Sequence, residues 1–309
     1  MIQVENLTRS YGEFIAVNDV SFTIKRGEIV GLLGHNGAGK TTIMKTMTGF
    51  LEPTAGRILL KGEDVSANLR QAQSLIGYLP ENCPLWLDMT VLEYLEYQAV
   101  LHGVPNKKRT HAILRAVQRA ELKEKADDVI QTLSRGYRQR VGVAQAILHE
   151  PDVVILDEPT NGLDPSQILH MRSLIHTLAE NATVFISTHI LQEVQATCER
   201  VLILRAGTLA LDARLEDLQK QTDSIRLVAS GDVKAALRKM NGIRQVIQLD
   251  AIDPTHYHLL ASGDLAPQIA RRLSEHDIQL YALHPMQRTL ETVFAEVNES
   301  IDTRNKESH

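Results

Sequence analysis

Apolar and polar positions predict short strands first, helices in the middle, and strands again. Residues 2–4 and 16–24 read as strands, with turns at Tyr11-Gly12 and Arg26-Gly27. Residues 28–33 form an apolar run that enters a glycine-rich loop, and 41–48 read as a helix. Thr90 and Glu93 form a capping box ahead of a helix over 91–101, which Gly103 and Pro105 stop. Residues 107–122 continue at helical spacing, with Ile113, Leu114, Val117 and Ala120 expected on one face. Solid aliphatic runs at 153–156, 184–187 and 201–204 predict buried parallel strands. Between the first and second of these runs, Asp164 and Pro165 fit the N-cap and N1 of another helix.

These elements make a first domain over 1–220, an α/β core carrying a helical insertion at about 84–149. Beyond 221 the pattern changes. Strands at 224–229, 245–249, 257–260 and 279–283 alternate with helices at 233–240 and 266–276. The order β-α-β-β-α-β predicts a small ferredoxin-like α+β domain over 221–300. A last helix at 289–297 precedes a polar tail, 301–309, expected to be disordered.

Composition narrows the function classes. The formal charge is −5, so no global basic field draws the chain to nucleic acid. Its two cysteines, Cys83 and Cys198, have neither metal-ligand spacing nor a disulfide framework, which suits a reducing cytosol. No signal peptide is read at the N-terminus, and no apolar run approaches the length of a membrane span.

The chemistry begins at residues 34–41, GHNGAGKT, which fit G-x-x-x-x-G-K-[ST] between a strand and a helix. Glycines there let backbone amides of Asn36, Gly37, Ala38 and Gly39 curl around phosphate, and Thr42 follows in the first helical turn. Lys40 is expected on the β- and γ-phosphates and the Thr41 hydroxyl on Mg²⁺. The run Val153-Val154-Ile155-Leu156 then delivers Asp157 and Glu158 to the carboxyl end of a buried strand. Asp157 suits a metal ligand and Glu158 a general base that polarises the attacking water.

Between these motifs, Leu133-Ser134-Arg135-Gly136-Tyr137 resembles the signature sequence of ABC ATPases, whose consensus is L-S-G-G-Q. Arg135 and Tyr137 depart from it; Ser134 and Gly136 keep it. A helix at 141–148 follows as in that family, and the helical N-terminus is expected near Arg138. The resemblance runs from residue 2 to about 211 and adds Tyr11 as the ring on adenine, Gly162-Leu163-Asp164 as the D-loop, and His189 as the switch histidine. Where most relatives carry glutamine, this chain has Glu81, which the resemblance places near Mg²⁺.

The resemblance implies the P-loop NTPase fold of an ABC cassette, with a mixed sheet, an antiparallel β subdomain and a helical subdomain. It implies ATP and Mg²⁺ as ligands and a homodimer, since Ser134 of one copy completes the other's site. It also implies a polytopic permease that meets the apolar loop around Trp86 and holds the chain on the inner face of the cell membrane. Residues 287–294, together with Tyr78-Leu79-Pro80-Glu81, resemble ATPase subunits of type-2 exporters. The competing class is a soluble ABC ATPase acting on nucleic acid or ribosomes, against which the single cassette and acidic balance argue.

Overall fold

The computed structural model describes residues 1–220, 222–238, 240–249, 255–261, 265–287 and 289–299. The expected tail at 301–309 lies outside the described residues. The chain divides into two compact units, Met1–Ala213 and Arg214–His309.

The first unit runs β1 (Ile2–Tyr11), β2 (Phe14–Ile24), β3 (Ile29–Leu33), α1 (Lys40–Met47), β4 (Ala55–Leu60), β5 (Glu63–Asp64), α2 (Leu69–Ser74) and β6 (Ile76–Leu79). It continues with α3 (Val91–Leu101), α4 (Asn106–Arg119), α5 (Arg135–Ile147), β7 (Val153–Asp157), α6 (Pro165–Ala179), β8 (Thr183–Thr188), α7 (Leu191–Thr197), β9 (Arg200–Arg205) and β10 (Thr208–Arg214). Six strands form one sheet in the order β10-β9-β3-β8-β7-β6, and the five from β9 to β6 are parallel. Parallel pairing of β3, β8 and β7 brings their carboxyl ends to one edge, where open α/β sheets place ligands. A second sheet, β2-β1-β4-β5, is antiparallel. One apolar core joins the two, with Ile2, Val20 and Ile24 meeting Val30, Ile155 and Leu202 around Ile43 and Met44 of α1.

Some local expectations change. β1 reaches Tyr11 instead of stopping at Val4, because β2 and β4 pair along both of its edges and carry its polar outer half. Leu114 is 58% exposed, not buried: the inner face of α4 is Ala112, Ile113, Ala116 and Val117, and Leu114 lies about 100° from Ile113. The signature helix starts at Arg135, earlier than Arg138, because Ser134 is its N-cap. Its first turn is polar, so the apolar pattern that begins at Val141 does not register it.

Other helix starts follow their caps. Thr90 Oγ1 accepts the Glu93 amide at 3.2 Å while Glu93 Oε2 accepts the Thr90 amide at 2.8 Å. Asp164 and Gln167 make the same reciprocal box on α6, with Pro165 at N1. Between β6 and α5 the backbones nearly touch: a Cβ built on Gly77 would lie 2.1 Å from the Ala146 carbonyl oxygen.

The second unit holds α8 (Leu215–Lys220), β11 (Thr222–Ala229), α9 (Val233–Leu237), β12 (Ile243–Gln248), β13 (His256–Ala261), α10 (Ala266–Glu275), β14 (Leu280–Gln287) and α11 (Leu290–Glu299). Its strands pair antiparallel in the order β12-β13-β11-β14, the order of a split βαβ sandwich. Ile225, Leu227, Leu259, Leu237, Ile269 and Leu273 form its separate core. Helix α9 ends at Leu237, short of the expected 240.

Candidate functional site

The glycine loop passes from β3 into α1. Gly37 and Gly39 have φ of 84° and 106°, a region open to glycine at no steric cost. At Gly39 space decides as well, since a Cβ would sit 2.6 Å from the Ala16 carbonyl oxygen. No side chain caps α1, and no acid stands in its first turn. Its leading amides and the positive end of its dipole therefore face the loop.

Lys40, buried at the start of α1, donates from Nζ to the Gly34 carbonyl at 2.7 Å and pairs with Glu158 Oε1 at 3.4 Å. His189 Nδ1 lies 2.9 Å from Glu158 Oε2, and with a carboxylate as acceptor Nδ1 carries the proton. Ammonium, carboxylate and imidazole thus form one bonded chain across the carboxyl ends of β3, β7 and β8. Glu158 itself has φ of 50°, unusual for a residue with a side chain and typical of strained functional positions.

Beside it, Asp157 is buried, and burial raises its carboxyl above the usual carboxylate range. A hydrogen bond from Ser187 opposes that rise, while the charges of Glu158 and Glu81 add to it. Asp157 Oδ2 is buried with no hydrogen-bond partner. Thr41, Asp157 and Glu81 offer oxygen donors only, the chemistry Mg²⁺ prefers. Among the described residues no group of three or more His, Cys, Asp or Glu converges as a metal cage. Mg²⁺ does not need one, because phosphate oxygens and water supply most of its ligands.

A pocket of about 400 Å³ gathers most of the expected residues: Asn36, Gly37, Gly39, Lys40, Thr41, Thr42, Glu81, Glu158, His189 and Tyr11. Ala38 lies buried under the loop, its amide donating to the His35 carbonyl at 3.1 Å. Tyr11 stands at the exposed turn between β1 and β2, with the Arg9 guanidinium 4.8 Å from its ring centroid. Sequence reasoning missed three lining residues, Phe14, Ala16 and Asn161. Phe14 is the register partner of Tyr11 across the hairpin, so the alternation around that turn held the signal. Asn161 donates its amide to Glu81 Oε1 at 3.3 Å, a pairing across distant segments that no local pattern carries.

Ser134, Gly136 and Asp164 do not line this pocket; they belong to a second cluster. Ser134 Oγ accepts the Tyr137 amide at 3.4 Å. Gly136 backs onto Gln167, where a Cβ would meet Cδ at 2.5 Å, and Gly162 backs onto the Arg135 guanidinium at the same distance. Asp164 accepts the Gln167 amide at 2.9 Å and the Ser166 hydroxyl at 2.7 Å, and the Ser166 bond first of all holds its carboxyl below the usual range. The segments 134–136 and 162–167 are therefore packed on each other.

Comparison with known proteins gives this geometry its kin. A family model described as ABC transporter matches residues 17–161. The uncharacterized ABC transporter ATP-binding protein YdbJ of Bacillus subtilis is 32% identical over 296 residues, covering 95% of this chain and 94% of that protein. The bacitracin transport ATP-binding protein BcrA of Enterococcus faecalis is 32% identical over 299 residues, 96% of each chain. Among solved structures, the dimeric structure of MJ0796, a bacterial ABC transporter cassette, matches with a TM-score of 0.63 at 26% identity, covering 70% of this chain and 99% of that one. Full-length likeness at this identity, on a fold shared with solved cassettes, is descent: the chain belongs to the ABC transporter ATP-binding protein family.

Proposed function

We propose that this ATPase hydrolyses Mg·ATP between two copies of itself and thereby drives a separate, polytopic permease, as the motor of an exporter. The observation that carries the reading is the bonded series Lys40, Glu158 and His189 on a pocket floored by the glycine loop. Amides of residues 36–39 and Thr42 would wrap the phosphates, with Lys40 on the β- and γ-groups. Tyr11, with Phe14 beside it, would stack on the adenine. Thr41 and Asp157, with Glu81 directly or through water, would hold Mg²⁺, which would supply charge neutralisation at the phosphates. Glu81 lacks the amide of the usual glutamine, and Asn161 supplies an amide to hold it. Glu158 polarises the attacking water, and His189 orients it and reaches the γ-phosphate.

Ser134, Gly136 and Asp164 stand outside their own pocket, which supports their serving the nucleotide of a second copy. MJ0796, a dimer in its solved structure, supports the same reading. Transport is favoured by the relatives, BcrA being named for bacitracin transport, and by an apolar surface. A cleft of about 780 Å³ has Phe50, Tyr78, Pro80, Pro84 and Leu101 among its lining residues, beside polar ones such as Arg70 and Gln73. Phe50 is 70% exposed, and near the cleft's Pro84 edge in sequence Trp86 is 58% exposed, resting on Tyr97 at 5.6 Å. Such a surface suits a cytoplasmic helix of a permease, which would hold the chain at the inner face of the membrane. Among the described residues no helix is long and apolar enough to cross a membrane. Nucleic acid is not proposed as a partner, in keeping with the charge of −5.

The test is Glu158→Gln with Mg·ATP. Turnover is expected to fall at least about a hundredfold, the share of a general base, while ATP binding persists and the chain elutes as an ATP-dependent dimer. Native turnover in that variant would remove Glu158 from the chemistry.

A further inference from the structure

The two acids at the end of β7 share a brace on the neighbouring strand. Ser187 lies fully buried in β8, and its Cα is the register partner of Asp157. Its hydroxyl donates to Asp157 Oδ1 and accepts the Glu158 amide at 3.1 Å. The Ser187 carbonyl accepts that same amide, also at 3.1 Å. A hydroxyl offers one proton and two lone pairs, so a single side chain here joins both acidic residues. The amide it grips belongs to a residue with φ of 50°, a conformation that persists only where the surroundings over-determine it.

The three residues before it, Val184, Phe185 and Ile186, are buried and apolar, and Ser187 is the strand position whose register partner is Asp157. An aspartate carboxyl turns broadly about its last torsion when nothing holds it. Bonding Oδ1 to Ser187 stops that rotation and leaves Oδ2, buried and without a hydrogen-bond partner, as the open oxygen.

We propose that Ser187 is a positioning residue: it orients Asp157 so that Oδ2 ligates the nucleotide-bound cation, and it fixes the backbone turn from which Glu158 reaches the attacking water. The proposal rests on reading Asp157 as a metal ligand. Partners that orient a ligand in this way are worth ten- to a hundredfold in metal affinity, so roughly a tenfold effect is expected.

Mn²⁺ serves as the probe, its binding to the ADP complex followed by electron paramagnetic resonance, with ADP affinity in EDTA measured alongside. Ser187→Ala should weaken Mn²⁺ binding about tenfold and leave ADP affinity in EDTA unchanged. Ser187→Thr, which restores a hydroxyl on a strand-favouring side chain, should recover the Mn²⁺ affinity. Wild-type Mn²⁺ affinity in the alanine variant overturns the proposal. So does an equal loss of ADP affinity in EDTA, which would mark general damage to the site, or a threonine variant no better than alanine. A wild-type chain that binds ADP but not Mn²⁺ would overturn the metal reading of Asp157, and the brace with it.

Discussion

His149 sits at the joint between the inserted helices and the sheet, and its chemistry makes that joint sensitive to pH. Its Nε2 bonds the Ile76 carbonyl at 3.1 Å, and its ring stacks on His102 with centroids 4.3 Å apart and planes 6° from parallel. A carbonyl only accepts, so Nε2 carries the proton, and Nδ1 is buried without a partner. Burial first, then the neighbouring His102, pushes its pKa down to about 4. An imidazole that resists protonation in the fold, but takes a proton at about 6.5 when unfolded, stabilises the protein above that value. The contribution is lost as pH falls from about 6.5 toward 4, because the unfolded chain binds the proton first. His149→Phe keeps a ring on His102 and removes the titration. Between pH 7 and pH 5 its unfolding free energy, from urea titrations, should fall by about 2 kcal/mol less than that of the wild type. Parallel losses in the two proteins would show that His149 does not carry the effect.

At the scale of elements, the contact between β6 and α5 is the most tightly specified. Gly77 faces the Ala146 carbonyl oxygen, a backbone atom that no rotamer change can move aside. Gly77→Ala should therefore destabilise the fold by roughly 1–3 kcal/mol, the usual cost of overpacking, read as a lower urea midpoint. An unchanged midpoint would mean that strand and helix separate freely. The elements also show what sequence patterns hold. The phosphate loop, the aliphatic strands and the capped starts of α3 and α6 were legible, because each is written in a dozen contiguous residues. The outer half of β1 was not, because pairing with β2 and β4 sets its length. Nor was the start of α5, where Arg135, Arg138 and Gln139 are polar and carry no apolar stripe. In the site, Lys40, Thr41, Asp157 and Glu158 came from local motifs. The bond from Asn161 to Glu81 spans 80 positions, and that from Ser187 to Asp157 spans 30; strand order creates them.

Across the whole molecule, the family likeness extends through both units, since YdbJ and BcrA align over 95% and 96% of the chain. The second unit is therefore shared with these relatives and is no private appendage. The surface proposed to meet a permease belongs to the first unit alone, where Trp86 leans on Tyr97 two positions along the chain from Pro84 of the cleft. Trp86→Ala should lose recovery with a membrane partner in detergent pull-downs while ATP turnover of the isolated chain stays at the wild-type level. Retained recovery would move the docking surface elsewhere.

Helix α5 has a consequence for how such a machine would transmit force. It contains 13 residues and spans about 20 Å. One end presents Ser134, with Arg135 against Gly162; the other bears on Gly77, and between them Gly142 meets Leu79 and Cys83 with no room for a methyl group. A rod seated this closely has no backlash. In the proposed dimer, a displacement imposed on the segment leaving β6 would arrive at Ser134 as rigid travel, so one push could open or seal the site proposed on the facing copy.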